Sequence, residues 1–226
     1  MIISIDGPSG AGKSTLGKMI AKELGLLYLD TGAMYRAVGL AVLEAGIGPE
    51  DTDSVVKVVR NTKIELKEIA GELRIFLNDI DVSDQVRKAE IGQIASIVSS
   101  IPEVRRILVE KQRKIGLSSE KGCVLDGRDI GTVVFPDADF KFFLTANPET
   151  RARRRYEENL QRGITTTYEE TLAEIKERDI RDTSREDSPL RIPKGAILID
   201  TSEMGLKEVF ERMLEIIRKK TSTSRI

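Results

Sequence analysis

Apolar residues along the chain fall into short runs that alternate with longer segments of helical period. Each run is apolar enough for a strand that is buried on both faces of a parallel sheet. The runs lie at residues 1–5, 26–29, 123–125, 140–144 and 196–199. The pattern therefore predicts five buried strands.

Two of the helical segments carry a regular apolar stripe, one after the first run and one near the end of the chain. The stripe residues are Leu16, Ile20 and Leu24 in the first segment and Val209, Met213 and Ile216 in the second. Spacings of three and four residues place these side chains on one helical face. Strands alternating with such helices predict an α/β fold with a parallel sheet.

One connection between predicted strands is too long for a single crossover helix. More than ninety residues separate Leu29 from Cys123, so we expect an insertion there. Apolar residues alternate around Gly71 and predict a hairpin or small meander; they are Ile64, Leu66, Leu73, Ile75 and Leu77. Helices are expected to follow, in "EIGQIASIVSS" and "PEVRRILVEKQRKIG". We predict one domain over residues 1–226, with the insert at about 31–120 and a frayed tail at "KKTSTSRI".

Composition narrows the possible partners and the compartment. The 36 basic and 37 acidic residues leave a net charge of −1, which disfavours general nucleic-acid binding. The single cysteine, Cys123, lies in an apolar run, so we expect it to be buried in a strand. A lone cysteine cannot form an internal disulfide, which favours a reducing cytoplasm. No apolar stretch approaches the ~20 residues that span a bilayer, so we expect no membrane partner.

The chain contains no histidine. This excludes catalytic triads and dyads that use histidine, zinc sites with histidine ligands, and any histidine general base. Carboxylates, lysine, arginine and a bound metal remain for chemistry. Phosphoryl transfer suits this set, because its catalysis is mostly positioning and charge stabilisation.

The clearest motif is "GPSGAGKS", which begins where the first predicted strand ends. Gly7, Gly12, Lys13 and Ser14 match G-x-x-x-x-G-K-[ST], a loop whose backbone N–H groups surround phosphates at a helix N-terminus. Lys13 would reach the β- and γ-phosphates of a nucleotide, and the Ser14 hydroxyl would bind Mg²⁺. The expected phosphate loop comprises Gly7, Pro8, Ser9, Gly10, Ala11, Gly12, Lys13, Ser14 and Thr15. A glycine-rich turn with a solvated lysine is the alternative.

A second motif is "GCVLDGRDIG", in which Asp126 closes a predicted buried strand. P-loop folds place an acidic group facing the metal at this point, although aspartate also ends strands as an ordinary turn residue. Arg128 and Asp129 follow it, at the edge of the sheet where open α/β folds bind ligands. We therefore expect Asp126 to assist Ser14 at the metal.

Arginines are dense late in the chain. They are Arg151, Arg153, Arg154, Arg155 and Arg162, then Arg178, Arg181 and Arg185. A solvated, salt-bridged face is the alternative. Residues 176–187, however, are charged around almost the whole helical circumference, with Ile180 the only apolar residue, so we expect this stretch to bury little core and to project. Arg178, Asp182 and Arg185 would share one face, within a lid at about residues 148–187.

GTPase signatures are missing: the sequence has no N-K-x-D and no switch-like D-x-x-G followed by a water-positioning glutamine. Transfer to a bound acceptor, with water excluded by closure, suits this organisation better than hydrolysis. A nucleotide-dependent regulatory switch remains open as an alternative for a P-loop protein of this kind.

Four segments resemble the signatures of bacterial-type cytidylate kinases, in the same order and spacing: "IDGPSGAGKST", "LDTGAMYR", "DGRDIGTVVFPDA" and "IKERDIRD". The resemblance runs from residue 1 to about 217. It implies a five-stranded parallel sheet of order 2-3-1-4-5, a nucleoside monophosphate-binding insert and a lid. It also implies transfer from ATP to CMP or dCMP in a cytoplasmic, commonly monomeric enzyme. A kinase that acts on another nucleoside monophosphate, such as UMP or AMP, is the nearest alternative.

The resemblance also assigns residues. Acceptor contacts fall on Thr31, Tyr35, Arg36, Ser96, Arg105, Arg128, Asp129, Arg178, Asp182 and Arg185. By resemblance, Arg36, Arg128 and Arg185 hold the acceptor phosphate, and Arg178 and Asp182 reach the ribose. Base recognition falls to Ser96, Arg105 and Asp129.

The chemistry of cytosine agrees with the last assignment, because its amino group suits a carboxylate and its ring acceptors suit an arginine. Two positions depart from the family pattern. Thr31 stands where some members have serine, which keeps the hydroxyl, and Arg153 occupies a variable lid position.

The expected mechanism is in-line transfer of the γ-phosphoryl group to an oxygen of the CMP phosphate. That oxygen is already anionic and needs no general base. Mg²⁺ would bridge the β- and γ-phosphates, held by Ser14 and, through water, by Asp126. Arg151, Arg154 and Arg155 match the family's lid arginines and would act with Lys13, Arg128 and Arg185 on the transferred charge.

Overall fold

The computed structural model describes residues 1–69 and 72–223. Its strands are β1 (Ile2–Asp6), β2 (Leu27–Asp30), β3 (Ile64–Ile69), β4 (Glu72–Leu77), β5 (Ile80–Asp81), β6 (Cys123–Gly127), β7 (Phe140–Thr145) and β8 (Ile197–Asp200). Its α-helices are α1 (Lys13–Leu24), α2 (Thr31–Glu44), α3 (Thr52–Asn61), α4 (Ala89–Val98), α5 (Pro102–Ser118), α6 (Pro148–Gln161), α7 (Tyr168–Ser184) and α8 (Leu206–Thr223). A 3₁₀ turn covers Gln85–Arg87, and one turn of π-helix covers Ile130–Val134.

Five strands form the main sheet in the order β2-β6-β1-β7-β8. Strand β1 pairs in parallel with β6 and β7, and β7 pairs in parallel with β8. The strand labels differ from those of the predicted order only because β3, β4 and β5 belong to a second sheet; counted within the main sheet, the order is 2-3-1-4-5. The α/β class with a parallel five-stranded sheet is confirmed.

Burial differs between the centre and the edge of this sheet. All five residues of β6 are buried, including Cys123, whose thiol has its pKa raised to about 11 by burial. Edge strand β8 leaves Leu198 50% exposed and Ile197 partly exposed. The prediction that every strand is buried on both faces is therefore wrong for both edge strands, in which only Leu29 of β2 and Ile199 of β8 are buried, because an edge strand has a neighbour on one side only.

The core around the main sheet is built by both predicted helical stripes. Leu16 and Ile20 of α1 and Val209 and Met213 of α8 are at most 1% exposed. Leu24 and Ile216, the remaining stripe residues with lower burial, pack at the margin of the same cluster. Periodicity thus correctly identified which faces of α1 and α8 are buried.

The expected frayed tail is wrong over residues 219–223, because α8 continues to Thr223. Lys219 pairs with Glu215 one turn earlier, and the Lys220 ammonium donates to the Asp139 carbonyl at 2.7 Å. These contacts hold the last turns of the helix. The rest of that predicted tail lies outside the described residues.

The chain divides into two compact units, Met1–Tyr28 with Ser119–Ile226, and Leu29–Ser118. In the second unit, β3, β4 and β5 form an antiparallel meander in which Ile64 lies opposite Leu77 and Leu66 lies opposite Ile75. The small meander predicted from alternation is confirmed, although Gly71 lies outside the described residues.

Helices α2 and α4 approach closely within the second unit, at Gly39. A Cβ atom at Gly39 would lie 3.1 Å from the Ala95 backbone nitrogen and 3.2 Å from the Ile91 carbonyl oxygen. Both neighbours are backbone atoms of a helix, so they cannot rotate away. Gly92, in α4, is the opposite case, because a Cβ there would meet nothing within 4 Å.

No helix in residues 1–69 and 72–223 combines the length and the apolar character that a membrane crossing requires.

We predict opposite stability effects for two glycine-to-alanine changes. Gly92→Ala should stabilise the protein by about 0.5–1 kcal/mol, because alanine favours the helix and its Cβ meets open space. Gly39→Ala should destabilise it despite the same gain in propensity, because the added methyl forces α2 and α4 apart. Thermal unfolding of both variants checks this. Equal stabilisation by both changes would contradict the close packing of α2 on α4.

Candidate active site

The loop between β1 and α1 has the backbone of a phosphate-binding loop. Gly7, Gly10 and Gly12 have φ values of 147°, 78° and 86°, which L-residues rarely adopt. A Cβ at Gly7 would also lie 2.0 Å from the Leu144 carbonyl oxygen. No side chain caps the N-terminus of α1, and its first turn contains no acidic residue. The N–H groups there are arranged to receive an anion.

Lys13 is buried at the start of α1, with only 6% of its surface exposed. Its Nζ donates a hydrogen bond to the Pro8 carbonyl oxygen at 2.7 Å. Burial, and next the positive charge of Arg128, lower the pKa of Lys13 well below its usual value. A phosphate beside Lys13 would oppose both effects and favour the ammonium form.

Ser14 and Asp126 come together as the two motifs predict. The Ser14 hydroxyl donates to Asp126 Oδ2 at 2.8 Å, and the Tyr28 hydroxyl donates to Asp126 Oδ1 at 2.8 Å. A hydroxyl and a carboxylate are oxygen ligands of the kind that Mg²⁺ binds together with substrate phosphates. Among the described residues, no group of three or more acidic, cysteine or histidine side chains is placed to hold a metal ion, so a cation at Ser14 and Asp126 would depend on phosphate oxygens. Sequence reasoning missed Tyr28, which lies within a predicted strand and carried no motif.

Asp6 is a second residue that sequence reasoning missed. It ends β1 with 0% exposure, and its carboxylate accepts hydrogen bonds from the backbone nitrogens of Ile130 and Gly131, each at 2.7 Å. Burial raises the pKa of Asp6 to about 7, against the lowering effect of those two N–H groups. The available signal was an aspartate closing an apolar strand, the same pattern that identified Asp126.

Arg128, Asp182 and Arg185 form a buried charge cluster. Arg128 Nε donates to Asp182 Oδ2 at 2.7 Å, and Arg185 Nη1 lies 3.7 Å from Asp182 Oδ1. Burial alone would raise the pKa of Asp182, but Arg128 and then Arg178 lower it below its usual value. Burial likewise opposes the charge of Arg128, yet Asp182 raises the pKa of that guanidinium. Asp182 and the three arginines around it, Arg128, Arg178 and Arg185, therefore influence one another's charge.

The expectation that residues 176–187 bury little apolar core is confirmed, but the expectation that this stretch projects is wrong for its charged face. The apolar residue, Ile180, is 67% exposed, whereas the side chains of Asp182 and Arg185 are only 6% and 5% exposed. Helix α7 packs against α6 rather than standing apart from it. Arg185 follows the last residue of α7, where the chain becomes extended, and its Nε donates to the Ser188 carbonyl at 2.7 Å. Opposite charges compensate each other here, which makes burial of this charged face possible.

The three lid arginines have different environments. Arg151 is 3% exposed; its guanidinium makes two bonds to Asp179, at 3.0 and 2.5 Å, and one to the Ser9 carbonyl of the phosphate loop at 3.1 Å. Arg154 donates to Thr201, at both its hydroxyl and its carbonyl oxygen. The bond of Arg155 is to Glu158, one turn away in the same helix.

Arg153, at the variable family position, is exposed. The arginine-rich segment therefore combines an anchored residue at the phosphate loop with residues nearer the surface.

Asp129, 4% exposed, lies in the first unit, and the other predicted acceptor residues lie in the second unit: Thr31, Tyr35, Arg36, Ser96 and Arg105. Thr31 begins α2, whose N-terminus is capped by the Asp30 carboxylate through the Ala33 N–H at 3.0 Å. Arg105 is 2% exposed, with its guanidinium carbon 5.6 Å from the centre of the Tyr35 ring. Ser96 is buried in the same unit. Of the three arginines expected to hold the acceptor phosphate, the structure brings Arg128 and Arg185 together, while Arg36 belongs to this unit.

Comparison with known proteins adds to this geometry. The cytidylate kinase family model matches residues 3–219. A cytidylate kinase of Caldanaerobacter subterraneus subsp. tengcongensis is 58% identical over 219 residues, which cover 97% of this chain and 95% of the relative. The cytidylate kinase of Carboxydothermus hydrogenoformans is 47% identical, over 97% of this chain and 98% of its own length.

A solved structure of an uncharacterised protein from Eubacterium ventriosum is similar in fold, with a TM-score of 0.51 at 14% identity over 96% of this chain and 98% of that one. The fold likeness concerns architecture only, whereas the sequence matches cover the phosphate loop, Asp126 and the buried arginine cluster together. On that whole-chain similarity, the chain belongs to the cytidylate kinase family.

Proposed function

We propose that the protein transfers the γ-phosphoryl group of ATP to CMP or dCMP, giving ADP and CDP or dCDP. The observation that carries this is geometric: the phosphate loop contacts the end of β6 through the Ser14–Asp126 hydrogen bond at 2.8 Å, and Arg128, two residues further along the chain, is paired with Asp182 at 2.7 Å. The lysine of a phosphate loop thereby shares its surroundings with guanidinium groups that suit a second phosphate. Membership of the cytidylate kinase family supports the acceptor.

ATP would bind along the loop from Gly7 to Thr15, with its phosphates at the N-terminus of α1. Lys13 would exchange its bond to the Pro8 carbonyl for phosphate oxygens. Ser14 and Asp126, already within 2.8 Å of each other, would hold Mg²⁺ with the triphosphate. When bound, Mg²⁺ neutralises charge on the β- and γ-phosphates.

The acceptor would be bound by the residues predicted for it. Arg128 and Arg185, with Arg36, would hold its phosphate, and Asp182 and Arg178 would reach the ribose. Arg128 now donates to Asp182, so a bound phosphate would draw the guanidinium away and release the carboxylate for a ribose hydroxyl. Ser96, Arg105 and Asp129 would read the base. The attacking oxygen is already anionic, which agrees with a chain that has no histidine.

We infer the domain roles on the same basis. The unit Leu29–Ser118 would be the acceptor-binding insert, and residues 148–187 the lid within a single kinase domain. The enzyme would work as a monomer, without nucleic acid or membrane, in the cytoplasm, where ATP and CMP are available.

ADP release measured with CMP, dCMP, UMP and AMP in turn tests the function. Turnover that does not depend on any monophosphate would favour a regulatory switch, and a preference for UMP or AMP would favour another kinase.

Replacing Lys13 by alanine tests the phosphate role of the loop. We expect kcat to fall by about 10²–10³-fold or more, because a buried cation that stabilises transferred charge is lost. Lys22→Ala is the matched control, since Lys22 is an exposed lysine of the same helix. Circular dichroism should show both variants folded. Near-normal kcat in Lys13→Ala would exclude this lysine from the chemistry.

Asp129→Asn tests base recognition. We expect the ratio of kcat/KM for CMP to kcat/KM for UMP to fall by a factor equivalent to about 1–3 kcal/mol, because asparagine no longer requires an amino group opposite it. Asp137→Asn is the control, since Asp137 is exposed and lies further along the same connection. An unchanged ratio in Asp129→Asn would place base recognition on other residues.

The lid arginines can be separated by their contacts. Arg155→Ala should lower kcat by about 10³-fold if this residue acts as an arginine finger, with little change in unfolding temperature, because its bond is to Glu158 within the same helix. Arg151→Ala should lower the unfolding temperature as well, because the Asp179 and Ser9 contacts are lost. The exposed Arg153→Ala is the control. Normal kcat in Arg155→Ala would leave the finger role to other arginines.

A further inference from the structure

We propose that Asp6 is a positioning residue for acceptor recognition: it fixes the backbone at Ile130 and Gly131 and thereby orients Arg128 and Asp129. The proposal rests on the proposed function, because it assigns Arg128 and Asp129 to the acceptor. It adds a residue that itself need not touch either nucleotide.

The carboxylate of Asp6 caps a turn that is more than one hundred residues away in the chain. Oδ1 accepts from the Ile130 nitrogen and Oδ2 from the Gly131 nitrogen, each at 2.7 Å. These two N–H groups belong to the first residues of the π-helical turn Ile130–Val134, where a helical turn offers no internal acceptor. One side chain at the end of β1 therefore satisfies both groups.

Asp129 stands at the position from which an aspartate would ordinarily cap this turn. Its side chain makes no capping hydrogen bond, however, and its backbone has φ −142° and ψ 23°. Asp6 supplies the two hydrogen bonds at the start of this turn, so capping it does not depend on the Asp129 side chain.

The turn is also held from its sides. A Cβ at Gly131 would lie 2.9 Å from Ser4 Oγ and 2.9 Å from Pro193 Cγ. Little room therefore remains for the backbone at Gly131 to move across β1. With the two bonds to Asp6, this packing sets where Asp129 and Arg128 leave the sheet.

The charge of Asp6 belongs to the same electrostatic environment as the site. Asp129 raises the pKa of Asp6 and Lys13 lowers it, in addition to the larger effects of burial and of the two N–H groups. A buried carboxylate is costly to retain. Here the Asp6 carboxylate connects the end of β1, directly before the phosphate loop, with the turn that follows Arg128 and Asp129.

Asp6→Asn is the direct test, because asparagine keeps the shape but presents an NH₂ group to one of the two backbone N–H donors. We expect KM for CMP to rise about tenfold or more and the CMP-over-UMP ratio of kcat/KM to fall about tenfold, from loss of a charge-assisted hydrogen bond. KM for ATP should change by less than about threefold. Hydrogen exchange at the Ile130 and Gly131 amides should accelerate.

Asp139→Asn is the matched control. The Asp139 carboxylate accepts from the Ile2 backbone nitrogen at 2.7 Å, at the opposite end of β1 and exposed to solvent. It loses the same kind of bond on the same strand, so its kinetics should equal those of the wild type.

An Asp6→Asn enzyme with unchanged KM for CMP and an unchanged CMP-over-UMP ratio would overturn the proposal. Equal rises in KM for ATP and CMP, with faster exchange along the whole of β1, would also overturn it, because Asp6 would then be a general stability residue. If Asp6→Asn does not fold, Asp6→Glu keeps the charge and both acceptor oxygens one methylene further out. Asp6→Glu should show the same selective rise in KM for CMP. An Asp6→Glu enzyme without that rise would count against the proposal.

The two proposals can fail separately. A wild-type protein without CMP-dependent turnover would refute the proposed function. Amide exchange at Ile130 and Gly131 in Asp6→Asn would still decide whether Asp6 fixes that backbone, since the measurement needs no substrate.

Discussion

Buried charge at the carboxyl edge of the five-stranded sheet is the constraint on which the site depends. Lys13, Asp126 and Asp182 are each at most 6% exposed. Ions in such places are tolerated only when other groups compensate them. The Pro8 carbonyl receives the Lys13 ammonium, two hydroxyl groups hold Asp126, and Arg128 pairs with Asp182. The fold therefore keeps a set of mutually dependent charges where ligands of parallel sheets bind.

These internal partners are of the kind that phosphate can replace. A carbonyl oxygen is a weaker partner for Lys13 than a phosphate oxygen, and one carboxylate is shared by Arg128 and Arg185. Under the proposed function, two nucleotides supply the missing negative charge, so binding and rearrangement of the pairs are the same event. Arg151 joins the phosphate loop to α7, because its guanidinium donates hydrogen bonds both to the Ser9 carbonyl and to the Asp179 carboxylate.

Much of the site could be predicted because its motifs are local. The glycine loop is continuous in sequence, and Asp126 was paired with Ser14 because P-loop folds place an acidic group facing the metal at the end of a buried strand. Asp6 and Tyr28 were missed for the opposite reason. Their partners, Ile130 and Asp126, lie about a hundred residues away. Asp6 closes an apolar strand as Asp126 does, but that local pattern does not indicate which distant residues it contacts. Similarly, arginine density identified the segment that contains Arg151 but not its bond to Asp179.

The sequence by itself determined the α/β class, the buried faces of α1 and α8, the small meander and the phosphate loop, because apolar period and glycine geometry act over a few neighbouring residues. Only the tertiary structure decided that β8 is a partly exposed edge, that Asp182 and Arg185 are buried while Ile180 faces solvent, and that Asp6 caps a distant turn. Those outcomes depend on which strands and helices become neighbours. The burial of a charge is set by the partner that folding brings to it, and that partner is distant in sequence.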